Sequence, residues 1–172
     1  IVSKKITMSK KTIEFEKKFS KFIGSKYALM VNSGSSANLL AMFAMINPAK
    51  IDKLKPGDEC LIPALCWSTS LWPIVQAGLT PIFVDIDPKT YNLSAFELEK
   101  KLIHAKKENK LPKIVIPVHF SGQSCDMKRI HELGKEYGFN IIEDASHAIG
   151  GKYLNRPIGG CQYSDVTVFS FH

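Results

Sequence analysis

The sequence predicts an α/β fold with a mainly parallel sheet and helices on both faces. Two observations carry this prediction. Apolar runs of strand length alternate with helix-length segments almost throughout the chain, which is typical of right-handed strand–helix–strand crossovers. The length of 172 residues is enough for one sizeable core and not comfortably for two. We therefore expect a single layered unit.

The first third of the chain opens with a helix over 12–23, because Phe15, Phe19 and Phe22 fall on one helical face and lysines on the other. This helix ends near Gly24. The apolar run 27–31 is predicted to be a strand, followed by a glycine turn and an apolar helix over 37–46. A polar connection closes with a Pro-Gly turn at 56–57, and the strand 59–62 follows.

The remaining elements continue the alternation. A helix is expected from 68 to about 77 and a strand over 81–85. Ser94 and Glu97 form a capping-box pattern that opens a helix to about 107. A strand over 114–119, a helix after 126 to about 137 and a short strand around Ile141 and Ile142 come next, the last one ending at Asp144. A hairpin turn over 152–160 and a final strand over 165–170 complete the prediction.

The composition indicates a soluble globular protein, with 45% hydrophobic and 23% charged residues. The sequence has no apolar run of membrane-span length and no secretory signal. His119, Cys125 and His147 lack the paired spacing of a zinc site, so we expect no metal. Scattered cysteines are typical of free thiols in a reducing compartment, which predicts the cytoplasm. They are Cys60, Cys66, Cys125 and Cys161.

The formal net charge is +7, and eight lysines lie within the first 26 residues. The solvated face of the first helix accounts for them. A nucleic-acid interface would need a dense Arg/Lys patch with stacking or base-reading groups, and none is evident. No G-x-G-x-x-G motif follows a strand and no Walker A motif is present, so the usual dinucleotide and P-loop sites are not indicated. A modest positive field would suit an anionic substrate.

Gly34, Ser35 and Ser36 lie in a turn that joins a strand directly to a helix start. Free backbone N–H groups and the positive end of the helix dipole favour an anion at such a position, and the two hydroxyl groups add donors. Plain N-capping by Ser33 or Ser35 is the alternative interpretation.

Asp144 ends a buried strand, and Ala145 and Ser146 leave space beside it. Ligands of open α/β sheets gather at the carboxyl ends of the strands. A carboxylate there can keep the pyridine nitrogen of pyridoxal phosphate (PLP) protonated, which makes the ring an electron sink. Capping of the next helix is the alternative. Trp67 also follows a strand end, where it could stack on a flat ring or serve as a core or interface residue.

Six stretches in this order resemble the DegT/DnrJ/EryC1/StrS family of sugar aminotransferases, which are PLP enzymes of fold type I. They are K-Y-A-L-M-V-N-S-G-S-S-A at 26–37, P-G-D-E at 56–59, F-V-D-I-D at 83–87, V-H-F-S-G-Q at 118–123, E-D-A-S-H at 143–147 and F-S-F-H at 169–172. The resemblance runs the whole length of the chain and covers about the first half of a family member. It implies that residues 1–172 form the N-terminal part of the PLP-binding large domain, without the small C-terminal domain.

The resemblance also assigns roles to individual residues. Asp144 would pair with the pyridine nitrogen, and Trp67 would stack on the ring. His147 stands where the family has Gln or His near the ring hydroxyl, although from the residues alone it could equally be a buried structural histidine. The phosphate would be held by Ser35, Ser36 and Ser170, with Gly34 allowing the turn. Gln123 would only shape its loop.

The implied reaction has two halves. An amino donor, usually L-glutamate in this family, converts PLP to pyridoxamine phosphate, which then aminates a keto group on a nucleotide-linked deoxysugar for deoxyamino sugar or surface polysaccharide biosynthesis. The lysine that holds PLP as a Schiff base is expected just past His172. Because the chain begins at Ile1 and stops after a strand-like run, we expect it to be incomplete. A homodimer partner would complete the site.

Two other functions stay open at the level of sequence. Some relatives carry histidine in place of the lysine and remove the sugar 3-hydroxyl, so a PLP- or pyridoxamine-phosphate-dependent sugar nucleotide 3-dehydratase is one alternative. The other is a non-catalytic α/β binding or regulatory module that keeps the cofactor pocket without turnover.

Overall fold

A computed structural model describes residues 9–50 and 54–171 of the chain. Its helices are α1 (Lys10–Ile23), α2 (Gly34–Met45), α3 (Ser68–Gln76), α4 (Ala95–Lys107) and α5 (Met127–Tyr137). Its strands are β1 (Glu59–Pro63), β2 (Thr80–Val84), β3 (Ile114–Val115), β4 (Asn140–Asp144), β5 (Lys152–Tyr153), β6 (Arg156–Pro157) and β7 (Val166–Val168). His172, the last residue of the F-S-F-H motif, lies outside the described residues.

Five of the strands form one sheet in the order β2-β1-β3-β4-β7, and every neighbouring pair in it is parallel. The remaining two, β5 and β6, form a small antiparallel hairpin in the predicted region. Helices α3, α4 and α5 connect β1 to β2, β2 to β3 and β3 to β4, and the segment with the β5–β6 hairpin connects β4 to β7. The predicted mainly parallel sheet is confirmed.

Hydrophobic cores lie on both faces of the sheet. On one face, Ile62 and Ile142 pack with Met42 of α2 and Ile74 of α3. The opposite core contains the alternate strand residues together with apolar residues of α4 and α5. It includes Leu61, Val115, Ile141, Leu98, Leu102, Ile130 and Leu133. Successive strand residues point to opposite faces, so the two cores confirm helices on both sides of the sheet.

This alternation separates the two acids at the end of β4. Asp144 shares the face of Ile142, towards α2 and α3, because the two residues are two positions apart. Glu143 shares the face of Ile141, towards α4 and α5. Both carboxylates are buried, with side chains on opposite sides of one strand end. The sheet thus presents one acid to each layer.

The predicted strand over 27–31 is wrong. The structure places no strand there, and Tyr27 and Leu29 are exposed. No strand among residues 9–50 and 54–171 pairs with this segment, so its apolar pattern meets no backbone partner. A cavity of about 710 Å³ lies between the segment and β7, lined in part by Phe15 and Phe19 of α1.

Two strands are shorter than predicted. The run 114–119 pairs as a strand only over β3, because Pro117 has no N–H to donate; beyond it a single bridge joins Val118 to Asp144. The expected strand 165–170 is regular only over β7. The Ser94 cap is confirmed, since its hydroxyl accepts from the N–H of Glu97 at 3.3 Å. In the described ranges, no helix has the length and apolar character that crossing a bilayer requires.

Candidate active site

Asp144 lies at the carboxyl end of the internal strand β4, and only 3% of its surface is exposed. Its Oδ2 accepts hydrogen bonds from Asn38 Nδ2 at 3.0 Å and Ser70 Oγ at 2.7 Å. Its Oδ1 accepts from the backbone N–H of Ser146 at 3.1 Å and from the Ser146 hydroxyl at 2.7 Å. The carboxylate is held from both sides and joins three segments distant in sequence.

All four of these donors are neutral. Among residues 9–50 and 54–171, the ion pairs do not include Asp144. A buried carboxylate is normally compensated by a cation, because neutral hydrogen bonds recover only part of its hydration. Acceptance of four donors matches the ionised form, which offers about four lone-pair positions. The site is therefore suited to a positively charged group.

Asn38 and Ser70 were not predicted to belong to the site. Asn38 sits within an otherwise apolar stretch of α2, and a single buried amide in such a stretch needs a polar partner. The isolated polar residue could therefore have indicated that Asn38 has a buried polar partner. Ser70 carried none, since it lies in a Ser-Thr-Ser run at the start of α3 and only the fold turns its hydroxyl towards Asp144.

The start of α2 lies against the segment that follows β7. A Cβ built on Gly34 would be 2.8 Å from Ser170 Cβ and 3.0 Å from its Oγ, so the two backbones approach closely only because residue 34 is glycine. Ser33 caps the helix by accepting from the N–H of Ser36 at 3.1 Å. Ser35 is exposed. The structure therefore brings Ser170 to the same helix start as the predicted serines.

The contacts of Ser170 and Asp144 lie on one face of α2. Gly34 and Asn38 are four residues apart, so Ser170 and Asp144 contact one face of α2 about 6 Å apart along its axis. In the sheet, Asp144 pairs with Val168, two residues before Ser170. The carboxylate and the helix start thus border one region.

Trp67 immediately precedes α3, three residues before Ser70, whose hydroxyl reaches Asp144. The Trp67 side chain is 74% exposed, so among the described residues it is not part of the core. An exposed indole beside a strand end is free to cover a flat ligand. This leaves stacking or an interface as its role.

His147 lies in the turn after β4, and its side chain is exposed, so it is not a buried structural histidine. Its carbonyl oxygen would lie 2.7 Å from a Cβ on Gly122, which shows how closely the 120–123 loop packs on this turn. In that loop the Gln123 carbonyl accepts from Asn92 Nδ2 at 3.0 Å. The Gln123 backbone thus helps to shape the loop beside His147.

The negative charge of Asp144 affects the pKa of Cys66, which follows β1. Burial, and then the charge of Asp144, raise the pKa of the half-buried Cys66 thiol. Cys66 is therefore a protonated thiol near neutral pH, not a reactive thiolate. In the described ranges, no group of three or more His, Cys, Asp or Glu side chains is arranged to hold a metal ion.

Comparison with known proteins gives relatives along the whole chain. The model of the DegT/DnrJ/EryC1/StrS aminotransferase family matches residues 1–172. The spore coat polysaccharide biosynthesis protein SpsC of Bacillus subtilis (strain 168) is 38% identical over 162 residues, which are 94% of this chain and 38% of that protein.

Two solved structures share the fold. Helicobacter pylori PseC, an aminotransferase involved in the biosynthesis of pseudoaminic acid, superposes with a TM-score of 0.84 at 27% identity, covering 99% of this chain and 42% of that one. The E. coli GDP-4-keto-6-deoxy-D-mannose-3-dehydratase with bound hydrated PLP superposes with a TM-score of 0.80 at 34% identity. The match covers 89% of this chain and 38% of that one.

The chain spans about two fifths of the length of the relatives it matches. Its parallel sheet, with helices on both faces, is that of fold type I PLP enzymes. The family model covers every residue of the sequence. The chain belongs to the DegT/DnrJ/EryC1/StrS aminotransferase family.

Proposed function

We propose that this chain is the N-terminal part of the large domain of a PLP-dependent aminotransferase that acts on a nucleotide-linked keto sugar. The observation that carries the proposal is the Asp144 carboxylate, which is buried at the strand ends and which, among the described residues, is bonded only to neutral donors. A protonated pyridine nitrogen is a cation of the right kind for it, because each charge favours the charged form of the other.

The surrounding residues fit the rest of the cofactor. Ser35, Ser36 and Ser170 would hold the phosphate at the start of α2, where the close contact of Gly34 with Ser170 supports a shared site. Trp67 would cover one face of the ring. His147 would approach the ring hydroxyl from the exposed turn after β4.

PLP supplies an electron sink for moving an amino group, and this chain's residues bind and orient it. Asp144 would keep the ring nitrogen protonated, while Asn38 and Ser70 hold its carboxylate in place. We propose L-glutamate as the amino donor, a homodimer as the working assembly and the cytoplasm as its location. The lysine that binds PLP covalently is proposed to follow His172.

Sugar nucleotide 3-dehydration is the second candidate. The supporting observation is that the E. coli dehydratase shares 34% identity with this chain over 89% of its length. The residues described here serve either reaction, because holding PLP or pyridoxamine phosphate requires the same phosphate site and the same acid. The residue at the lysine position past His172 would separate the two.

The test uses the full-length protein, PLP, L-glutamate and a nucleotide-linked 4-keto-6-deoxysugar. Release of 2-oxoglutarate together with a sugar product that has gained an amino group supports the aminotransferase. Release of 2-oxoglutarate with a product that has lost its 3-hydroxyl supports the dehydratase. Saturable PLP binding without either product would instead support a non-catalytic module, and absence of PLP binding would contradict the proposal.

A further inference from the structure

We propose that His119 and Glu143 form a positioning pair, which fixes the end of β4 from the face opposite the cofactor and links it to β7. This inference rests on the proposed function for its effect on PLP. The pair contacts the Asp144 peptide through the backbone of His119, while the two side chains lie on the face opposite the Asp144 carboxylate. Both lie beneath it, on the side of the sheet that faces α4 and α5.

The pair is buried and fully bonded. The side chains of His119 and Glu143 are 0% and 6% exposed, and His119 Nε2 lies 2.8 Å from Glu143 Oε1. The backbone N–H of Cys125 donates to His119 Nδ1 at 3.1 Å, so Nδ1 is unprotonated and Nε2–H is the donor to the carboxylate. His119 is therefore the neutral tautomer, held by a bond at each ring nitrogen.

The other carboxylate oxygen reaches β7. Glu143 Oε2 accepts from the Ser164 hydroxyl at 2.7 Å and from Thr167 Oγ1 at 3.3 Å. Thr167 is paired with Glu143 in the sheet, and Ser170 lies three residues farther along the chain. One buried side chain therefore ties the strand that carries Asp144 to the strand that leads to Ser170.

The backbone completes the connection to Asp144. The N–H of His119 donates to the carbonyl of Asp144 at 3.0 Å, and the N–H of Asp144 donates to the carbonyl of Pro117 at 2.9 Å. The backbone of residues 117–119 is thus hydrogen-bonded to the Asp144 peptide, and the His119 side chain is hydrogen-bonded to the Glu143 side chain. This compensates for Pro117, which interrupts the regular ladder of β3. A shift of either residue would move the Asp144 carboxylate, because adjacent residues of one strand move together.

The proposal concerns hydrogen-bond geometry, so a matched pair of variants of the full-length protein tests it. In Glu143→Gln, the amide oxygen still accepts from His119 and the amide NH₂ can donate to the two hydroxyl oxygens. Glu143→Met keeps the length of the side chain and loses every bond. We expect PLP affinity within about twofold of wild type for Glu143→Gln and at least about tenfold weaker for Glu143→Met.

Two further variants separate positioning from stability. Ser94→Ala removes a helix cap on a distant element, so it lowers Tm and should leave PLP affinity unchanged. Ser164→Ala removes a single donor to Glu143 and should weaken PLP binding about three- to tenfold. If Glu143→Met does not fold, the PLP affinity of Ser164→Ala tests the proposal in its place. PLP affinity equal to wild type in every folded Glu143 and Ser164 variant overturns the proposal.

Amide hydrogen exchange, measured without PLP, tests the His119–Glu143 pair independently of the cofactor. Loss of the pair should speed exchange at the Asp144 and His119 amides at least about tenfold. Exchange at Ala64, whose N–H bonds to Val84 at the end of a neighbouring strand, should not change. If the wild type binds no PLP, the proposed function fails, and the exchange rates still test the positioning role of the pair. Equal acceleration at all three amides means general destabilisation and overturns the positioning role.

Discussion

Gly34 and Ser170 pack so closely that a Cβ on residue 34 would lie 2.8 Å from the Cβ of Ser170. The contact joins the first residue of α2 to the segment after β7, which are 136 positions apart in the sequence. It makes the start of α2 and the predicted phosphate-binding serines parts of one surface. The absence of a side chain at residue 34 is what permits this arrangement.

Gly34→Ala should therefore displace Ser170. The new methyl group meets a side chain whose backbone is anchored by β7, and we expect a loss of about 1–3 kcal/mol in the free energy of unfolding. PLP binding in the full-length protein should weaken more than the stability loss alone explains. Denaturant unfolding and PLP titration measure the two effects.

Gly134→Ala is the control for this prediction. Its Cβ would meet Phe139 at 3.2 Å on the far side of the sheet, within a helix where alanine is favoured over glycine. It should leave PLP affinity unchanged. Equal PLP affinities for the two glycine variants would mean that the Gly34–Ser170 contact does not shape the phosphate site.

Asp144→Asn should lower turnover of the full-length protein by orders of magnitude, because the amide keeps the shape and loses the charge that pairs with the ring nitrogen. The substitution also sets an NH₂ group against one of the present donors, which costs about 1–3 kcal/mol. The fold should survive, as circular dichroism would show. Turnover near that of wild type would remove Asp144 from its proposed role.

Ser70→Ala should destabilise the protein by about 1–3 kcal/mol, because it removes a buried 2.7 Å hydrogen bond to the Asp144 carboxylate. Ser68→Ala, at an exposed position on the first turn of the same helix, is the matched control and should change stability by less than about 0.5 kcal/mol. Thermal or denaturant unfolding measures both. A similar small effect for the two variants would show that Ser70 does not support Asp144.

Cys66 should be alkylated slowly at neutral pH, with a rate that still rises above pH 9. Burial and the Asp144 charge raise its pKa above the ordinary value of 9.0, and only the thiolate reacts. In Asp144→Asn the negative charge is gone, so the Cys66 pKa falls. Alkylation at pH 8 should become at least about twofold faster.

Cys161 provides the internal control for this measurement. Its pKa is also raised, first by burial and with a contribution from Glu143, but Asp144 is not among the causes. Its alkylation rate should be the same in both proteins, as mass spectrometry of the labelled peptides would show. Equal acceleration of Cys66 and Cys161 would indicate loosening of the fold instead of the loss of one charge.

The sequence by itself determined the alternation of strands and helices and the end of β4 at Asp144. It did so because apolar periodicity and turn residues act locally, and because a strand that ends in an acid is visible as a pattern. It also identified the glycine turn before helix α2, although it began that helix at residue 37 and the structure begins α2 at Gly34. It could not tell whether 27–31 would find a strand partner, and its apolar pattern led to a wrong prediction, since pairing is decided by the rest of the sheet.

Tertiary structure alone decided which distant side chains reach Asp144, beyond the neighbouring Ser146. Asn38 and Ser70 lie 106 and 74 positions away from it, and no local rule connects them to a strand end. The partnership of His119 with Glu143 was likewise hidden, although both residues lie in motifs that were recognised. Hydrogen bonds between distant segments depend on strand order and on the packing of helices across it. These are properties of the whole fold, and no single stretch of sequence contains them.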